Sequence, residues 1–320
     1  DELPQPRANR LIRLAALETP EFYKAQAMRL PVWNKPRISG CAENFPQHIG
    51  LPRGCLDAVL DLLQEHDIRP ELQDERLPGR RVTAKFTGTM RNDQKAAVRE
   101  MLKHEIGVLC APTAFGKTVT AAALITRRKV STLVLVHRTE LLRQWQERLT
   151  GFLEFPKGSL GVIGGGKKKP SGKIDIAVMQ SLSGREDLGE LLDQYGQIII
   201  DECHHLSAFS FEAILKQAKA KFVVGLTATP IRRDGHQPII FMQCGLIRHS
   251  ASRPETAAVQ LEVWAKVLPA PEIPSDSPIQ DVFRILANDA TRNRLIAGDV
   301  LDAYREGRKV LVLTERTDHL

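Results

Sequence analysis

Long apolar runs, paired cysteines and internal repeats are all missing from this 320-residue sequence. Its longest apolar stretches are strand-sized, such as Leu133 to Val136, well short of the roughly 18 residues a membrane-spanning helix requires. No basic-then-apolar leader follows Asp1. The five cysteines (Cys41, Cys55, Cys110, Cys203 and Cys244) are scattered without a CxxC pair. That excludes a disulfide-stapled scaffold and points to a reducing, cytoplasmic setting. No nucleophile-elbow segment supports serine-triad chemistry. Cys203, His204 and His205 are adjacent, rarely converge on one tetrahedral ion, and have no second group at zinc spacing. Glycine and proline, 22 and 19 residues, stand at ordinary globular levels, so collagen-like and wholly disordered chains are excluded too. Both ends read as cuts in a larger protein, because a new strand-like run has barely begun when Leu320 is reached.

What is present is a lopsided charge distribution. Residues 1–85 carry 13 basic and 12 acidic side chains, residues 86–250 carry 23 and 15, and residues 251–320 carry 9 and 11. Only the middle segment is basic, which suits a polyanionic partner such as nucleic acid, or simply a soluble enzyme.

The same middle segment has the texture of an α/β fold. Apolar strands at 107–110, 132–136, 174–178, 197–200 and 222–225 alternate with helix-length segments at 91–103, 118–126, 140–149 and 209–217. Continuous apolar strands separated by helices predict a doubly wound parallel sheet covered on both faces. Residues 1–85 read as a small accessory α+β region, with helices at about 8–18 and 20–30 and an apolar helical stripe at Leu56, Val59, Leu60 and Leu63. Pro20 is expected to close the first helix, and the charged stretch 69–81 to form a loop or hinge. Trp33 and Phe45 are expected to pack rather than stand exposed, and Trp145, among Leu141, Leu142 and Leu149, to lie in the core. A linker with one strand at 260–267 and a helical connector fill 251–305, and 306–320 begins a further strand at Lys309 to Leu313.

Chemistry enters at 107–118. An apolar strand runs into Ala111, Pro112, Thr113, Ala114 and Phe115, and then Gly116-Lys117-Thr118 opens a helix. That is the phosphate-loop arrangement. Loop N–H groups and the helix N-terminus would wrap a phosphate, with Lys117 as the point charge, Thr118 as a Mg²⁺ ligand and Gly116 leaving room for the phosphate chain. Ala111 stands where the strict GxxxxGK[ST] pattern has its first glycine. Eighty-four residues after Lys117, the run 197–200 ends in Asp201-Glu202. Adjacent carboxylates at the end of a neighbouring strand are what a Mg²⁺–nucleotide site needs: Asp201 to hold the ion, Glu202 to take a proton from the attacking water. The patch Gly164 to Lys169, three glycines then Lys167, Lys168 and Lys169, reads as a flexible basic contact for phosphates.

Taken together, these segments resemble the motifs of superfamily 2 DExH-type helicases and translocases. Residues 111–118 resemble motif I, where alanine commonly holds the first position; 135–145 resemble motif Ia; Asp201-Glu202-Cys203-His204 is similar to motif II; Thr227-Ala228-Thr229-Pro230 is similar to motif III. Gly164 to Lys167, Gln180-Ser181-Leu182 and Arg232-Arg233-Asp234-Gly235 resemble the branch of XPB/Rad25-type translocases and restriction-subunit-like helicases. The resemblance implies a RecA-like first motor domain at 86–250, the opening of a second one near 309–320, and ATP with Mg²⁺ as cofactors. It further implies an adenine-reading Gln94, nucleic-acid contacts at His137 and Arg138, and coupling through His204, Thr227 and Thr229. The implied activity is an ATP-dependent DNA helicase or double-stranded DNA translocase. Arginines of the second domain would lie past Leu320, so the stretch by itself is expected to bind and hydrolyse nucleotide poorly. A nucleic-acid-binding or scaffolding module with a vestigial nucleotide site, an RNA-directed helicase and a P-loop ATPase with another substrate stay open as alternatives.

Overall fold

Strand residues in this chain alternate between two apolar layers, and that alternation builds the molecule. In the strand Thr132–Val136, Val134 and Val136 point into one buried cluster while Leu133 and Leu135 point into another. Ile199 and Ile198 divide the same way, as do Val224 and Val223. A strand buried on both faces needs helices above and below it. The first layer holds Asn92–Leu102, Lys117–Arg128 and Thr139–Phe152; the second holds Leu188–Leu192, Ala208–Gln217 and Gln237–Cys244.

The computed structural model describes residues 4–204, 208–229, 237–252, 264–268 and 271–314. The chain divides into two compact units, Asp1–Ala257 and Ala258–Leu320. Among the described residues the first unit holds an eight-stranded sheet. Its strand order is Lys167–Lys169, Leu160–Gly164, Ile174–Val178, Thr132–Val136, Gln197–Ile200, Phe222–Thr227, Ile106–Cys110, Ile247–Ser250. All pairings are parallel except the antiparallel first pair. This is a RecA-like core with smaller α+β elements beside it, as the strand–helix alternation implies.

Several local expectations change. The first helix is Gln5–Leu14, and residues 16–18 leave it to pair as a strand with Ile38–Gly40. The second helix, Pro20–Ala27, begins at Pro20 as expected, since a first-turn position needs no N–H donor, but Pro20 does not close the first helix, which has already ended at Leu14. The patch Gly164 to Lys169 is a tight hairpin: Gly164, Gly165 and Gly166 all have positive φ, which lets Gly164 pair with Lys167. The stretch 69–81 is a loop strapped to the sheet's lower edge. Leu77 N–H donates to Lys219 O at 2.7 Å and Ser131 N–H to Arg80 O at 2.7 Å. Gly79, at φ +79°, abuts Gly196 so closely that a Cβ would stand 2.5 Å from the Gly196 nitrogen. Trp33 is 87% exposed, against the packing expected of it, and Phe45 is exposed with its ring stacked 4.4 Å from His48.

The amino-terminal region shares a core with the sheet's own helix. Ala15, Leu17, Cys41 and Cys55 pack with Ile239 and Met242. The Arg53 guanidinium donates to Leu215 O, Ala218 O and Ala220 O, receiving the carbonyls at the end of the helix Ala208–Gln217. A Cβ on Gly54 would collide with the carbonyl oxygens of Phe241 and Met242, so only glycine allows that approach.

In the second unit, Ile279–Asn288 and Ala290–Arg305 are separate helices. Asp289 divides them by accepting from the N–H groups of Thr291 at 2.8 Å and Arg292 at 2.9 Å. The expected strand at 309–313 is irregular, with Leu311 and Leu313 exposed. An apolar run becomes a strand only when another strand takes up its backbone groups, and none among the described residues does so. Of the expected strand at 260–267, residues 264–267 are irregular and the rest lie outside the described residues.

Candidate nucleotide and magnesium site

The phosphate loop leaves the sheet after Cys110. Ala111 is fully buried and donates its N–H to Thr227 O at 2.8 Å, which holds the loop's first residue against the neighbouring strand. Phe115 N–H donates to Pro112 O at 3.2 Å, Ala114 has φ +67° and Gly116 has φ +88°. These turns bring Lys117 to the first position of the helix Lys117–Arg128. The Phe115 ring is completely buried in the first apolar layer, so the loop is anchored from beneath by a hydrophobic side chain. Its carbonyl is anchored from the side, accepting from Gln94 Nε2 at 2.7 Å and Arg91 Nη2 at 2.8 Å.

Gln94 thus braces the loop. Its Oε1 accepts from Arg91 N–H at 3.0 Å, and its side chain occupies the space a Cβ on Gly116 would need, 2.5 Å from Nε2. The glycine at 116 is thus required by its left-handed φ and by Gln94 overhead, not only by room for a phosphate chain.

The carboxylates arrive from Gln197–Ile200, which is not the immediate neighbour of Ile106–Cys110 as expected: Phe222–Thr227 lies between them. By the registers Ile200↔Gly225, Gly225↔Val108 and Thr227↔Cys110, the strand Gln197–Ile200 stops two residues short of the other two, and the span is closed by side chains. Lys117 Nζ lies 3.1 Å from Glu202 Oε1 and donates to Ala111 O at 3.3 Å. The pair is mostly enclosed, with side-chain exposures of 11% for Lys117 and 25% for Glu202.

Asp201 is 8% exposed, and both of its oxygens are held: Oδ1 accepts from Glu202 N–H at 3.0 Å and Oδ2 from Trp145 Nε1 at 2.6 Å. Burial pushes its carboxyl above the usual carboxylate range, the Trp145 hydrogen bond and Lys117 oppose that rise, and the Glu202 charge adds to it. Glu202 sits at φ +46°, and its buried Oε2 accepts no hydrogen bond among the described residues, with His204 Nδ1 3.3 Å away. His204 Nδ1 also lies 2.8 Å from Thr227 Oγ1. That hydroxyl donates to Thr229 O at 2.8 Å and accepts from Thr229 N–H at 3.2 Å. With its proton so committed, the hydroxyl can only accept from the histidine, which assigns the proton to Nδ1. Glu202, His204, Thr227 and Thr229 thus form one chain of contacts.

Pro112, Thr113, Ala114, Gly116, Lys117, Thr118, Asp201 and Glu202 line a cavity of about 500 Å³. Phe115 and Gln94 stand behind it. Its far wall is the helix Thr139–Phe152, through Leu141, Gln144, Trp145, Arg148 and Phe152. Trp145 is in the core as its neighbours in sequence imply, but its indole N–H reaches Asp201, a link sequence reasoning missed. The helical spacing of 141, 145, 148 and 152 was the available signal.

The donor set fits magnesium. A Thr118 hydroxyl and an Asp201 carboxylate beside a phosphate loop are hard oxygen ligands, and Glu202, whose buried Oε2 accepts no hydrogen bond among the described residues, lines the same cavity. No cluster of three or more His, Cys, Asp or Glu suited to a metal exists among the described residues, and the Cys203 thiol is pushed well up by complete burial.

His137 is half-buried at the end of its strand, its carbonyl accepting from Gln180 Nε2 at 3.0 Å. Arg138 is exposed as the residue preceding the helix Thr139–Phe152. The glycine hairpin adjoins this helix start, since a Cβ on Gly165 would stand 3.0 Å from Thr139 Cγ2. Lys169 is exposed on the same hairpin, Lys167 and Lys168 belong to its returning strand, and Pro230 and Arg232 to Gly235 lie outside the described residues.

The family described as type III restriction enzyme, res subunit, matches residues 87–232. The chain is 33% identical over 168 residues to the DNA 3'-5' translocase XPB2 of Sulfurisphaera tokodaii, covering 52% of this chain and 37% of that one. It is 27% identical over 248 residues to the DNA 3'-5' helicase XPB of Kineococcus radiotolerans, covering 72% and 43%. The chain thus spans well under half the length of both curated relatives. The crystal structure of bacteriophage T4 UvsW shares its fold, with a TM-score of 0.58 at 16% identity, covering 99% of this chain and 68% of that one. By its motifs, its sheet order and these matches, the chain resembles the superfamily 2 helicases, among them the res-subunit and XPB/Rad25-like members.

Proposed function

We propose that the chain is the ATP-binding part of a DNA motor, an ATPase that couples hydrolysis to movement along duplex DNA. The Lys117–Glu202 pair carries this reading: a phosphate-loop lysine and a carboxylate stand 3.1 Å apart across one cavity. Loop N–H groups and the N-terminus of Lys117–Arg128 receive the phosphate oxygens. Lys117 then exchanges its carboxylate partner for the phosphates, which frees Glu202 to accept a proton from the attacking water. Thr118 and Asp201 would hold Mg²⁺, which when bound neutralises charge on the phosphates. His204, Thr227 and Thr229 tie Glu202 to the segment after Phe222–Thr227, and on this reading that chain of contacts reports the state of the nucleotide.

Support for DNA as the track comes from the printed activities of the curated relatives and from the basic balance of residues 86–250, 23 against 15. The start of the helix Thr139–Phe152, with His137 and Arg138, and the adjoining hairpin that carries Lys167, Lys168 and Lys169 are the proposed backbone contacts. Residues 1–85 would add a second contact. The stretch 22–42 holds Lys24, Arg29, Lys35 and Arg37 with no acidic residue, and Trp33 stands exposed within it. A reducing, cytoplasmic setting suits five free thiols, four of them buried.

The test is ATP hydrolysis measured with and without duplex DNA on a protein that carries this chain together with the second motor domain the resemblance implies. DNA is expected to stimulate the rate, and Lys117→Ala and Glu202→Gln are each expected to reduce turnover at least 100-fold, on the order of what removing one transition-state contact costs. A rate indifferent to DNA overturns the motor, and retained turnover in both variants overturns the site.

A further inference from the structure

We infer that Trp145 is a positioning residue for the Asp201 carboxylate, and that its indole reports divalent-cation binding there. The inference rests on the reading of this cavity as a Mg²⁺–nucleotide site and goes beyond it, to a residue from the cavity's far wall.

A buried carboxylate can rotate about its Cβ–Cγ bond unless both oxygens are held. In Asp201 they are held from opposite sides, Oδ1 by the Glu202 N–H at 3.0 Å and Oδ2 by the Trp145 indole at 2.6 Å. The first bond comes from the backbone and travels with Asp201 itself. The second comes from a different element, the helix Thr139–Phe152, and fixes the carboxylate against the frame of the fold. The donor is itself immobile: Trp145 is 2% exposed and packs in the same apolar cluster as Val136, Leu142 and Leu149. Each oxygen keeps a lone pair, and both residues line the cavity that Thr118 also lines. A ligand oriented in advance does not spend binding energy on being ordered when the ion arrives. An indole bonded to that ligand must feel the field of a dication placed beside it. The other two tryptophans, Trp33 and Trp264, are 87% and 83% exposed, so Trp145 is spectrally distinct from them.

The experiment measures binding of a fluorescent ADP to the full chain across a Mg²⁺ titration and in EDTA, for wild type and Trp145→Phe. Phenylalanine keeps a ring in the apolar cluster and removes the N–H. The expected result is a half-saturating Mg²⁺ concentration raised about tenfold, part of what a hydrogen bond to a charged group is worth, with affinity in EDTA unchanged. Equal Mg²⁺ dependence in the two proteins overturns the inference, as does an equal loss with and without metal, which marks a structural role only. Wild-type protein that binds no nucleotide under any condition overturns the site reading instead, and the inference falls with it. The second measurement needs no change at 145. In Trp33→Phe/Trp264→Phe protein, Mg²⁺ added with unlabelled ADP is expected to shift Trp145 emission, and Asp201→Asn is expected to abolish the shift. No shift, or a shift that survives Asp201→Asn, overturns the inference even if Trp145→Phe does not fold.

Discussion

The ion pair between Lys117 and Glu202 makes a prediction about the protein with no nucleotide and no metal present. At 3.1 Å and an effective dielectric of about 20, the raw attraction is about 5 kcal/mol. Desolvation of two mostly enclosed charges consumes most of that, so a net coupling of about 1–2 kcal/mol is expected. Lys117→Met leaves a carboxylate whose Oε2 already lacks a hydrogen bond and whose Oε1 then loses its cation. It is therefore expected to be the more destabilising single change, by about 2 kcal/mol. Glu202→Gln leaves Lys117 with Ala111 O and is expected to cost less. The double variant should be more stable than the sum of the singles implies, by the coupling energy. Urea unfolding of all four proteins in EDTA measures it, and thermal midpoints should follow at about 2–4 °C per kcal/mol for a domain of this size. Raising the salt concentration should leave most of the coupling intact, since an enclosed pair is little screened. Additivity within about 0.4 kcal/mol would refute the reasoning, because it would mean that the two side chains do not meet until a nucleotide arrives.

Two further outcomes concern the fold that holds the site. Asp175 is fully buried and accepts from Ser171 N–H, Ser171 Oγ, Gly172 N–H and the Tyr195 hydroxyl, the last at 2.6 Å. Tyr195→Phe removes one charge-assisted donor and should cost about 1.5–3 kcal/mol, read as a lower unfolding midpoint and faster amide exchange at Ser171 and Gly172; unchanged exchange there sinks the assignment. Burial raises the Cys244 thiol to about 12 from its ordinary 9.0 and also raises Cys203 and Tyr195. The unfolded chain therefore releases these protons first. The stability they contribute is complete below about pH 9 and is lost as the pH climbs toward about 12. A thermal midpoint that stays flat through this window contradicts the burial.

The alternation of strand and helix between 86 and 250 was legible because buried parallel strands must be apolar throughout, and the phosphate loop and the carboxylate pair were legible because each is short and contiguous. What stayed hidden depended on neighbours distant in sequence. Trp145 and Asp201 are 56 residues apart. The link from Gln94 to Phe115 arises only once the helix Asn92–Leu102 packs beside the loop. The insertion of Phe222–Thr227 between the two site strands is a matter of sheet order, which local pattern does not encode. The early end of the first helix, well before Pro20, is hidden for the same reason: residues 16–18 leave it to pair with Ile38–Gly40. The glycine–lysine patch misled because its low complexity suggested flexibility, whereas three successive positive φ angles describe a hairpin.

The contact at Gly54 has a mechanical consequence. With backbone seated directly on the carbonyls of Phe241 and Met242, and Arg53 gripping a helix end beside it, this joint has neither side-chain cushion nor slack. The amino-terminal module must then ride with the sheet as one solid piece. On the proposed reading, a stroke has to be sought at some other seam of the protein.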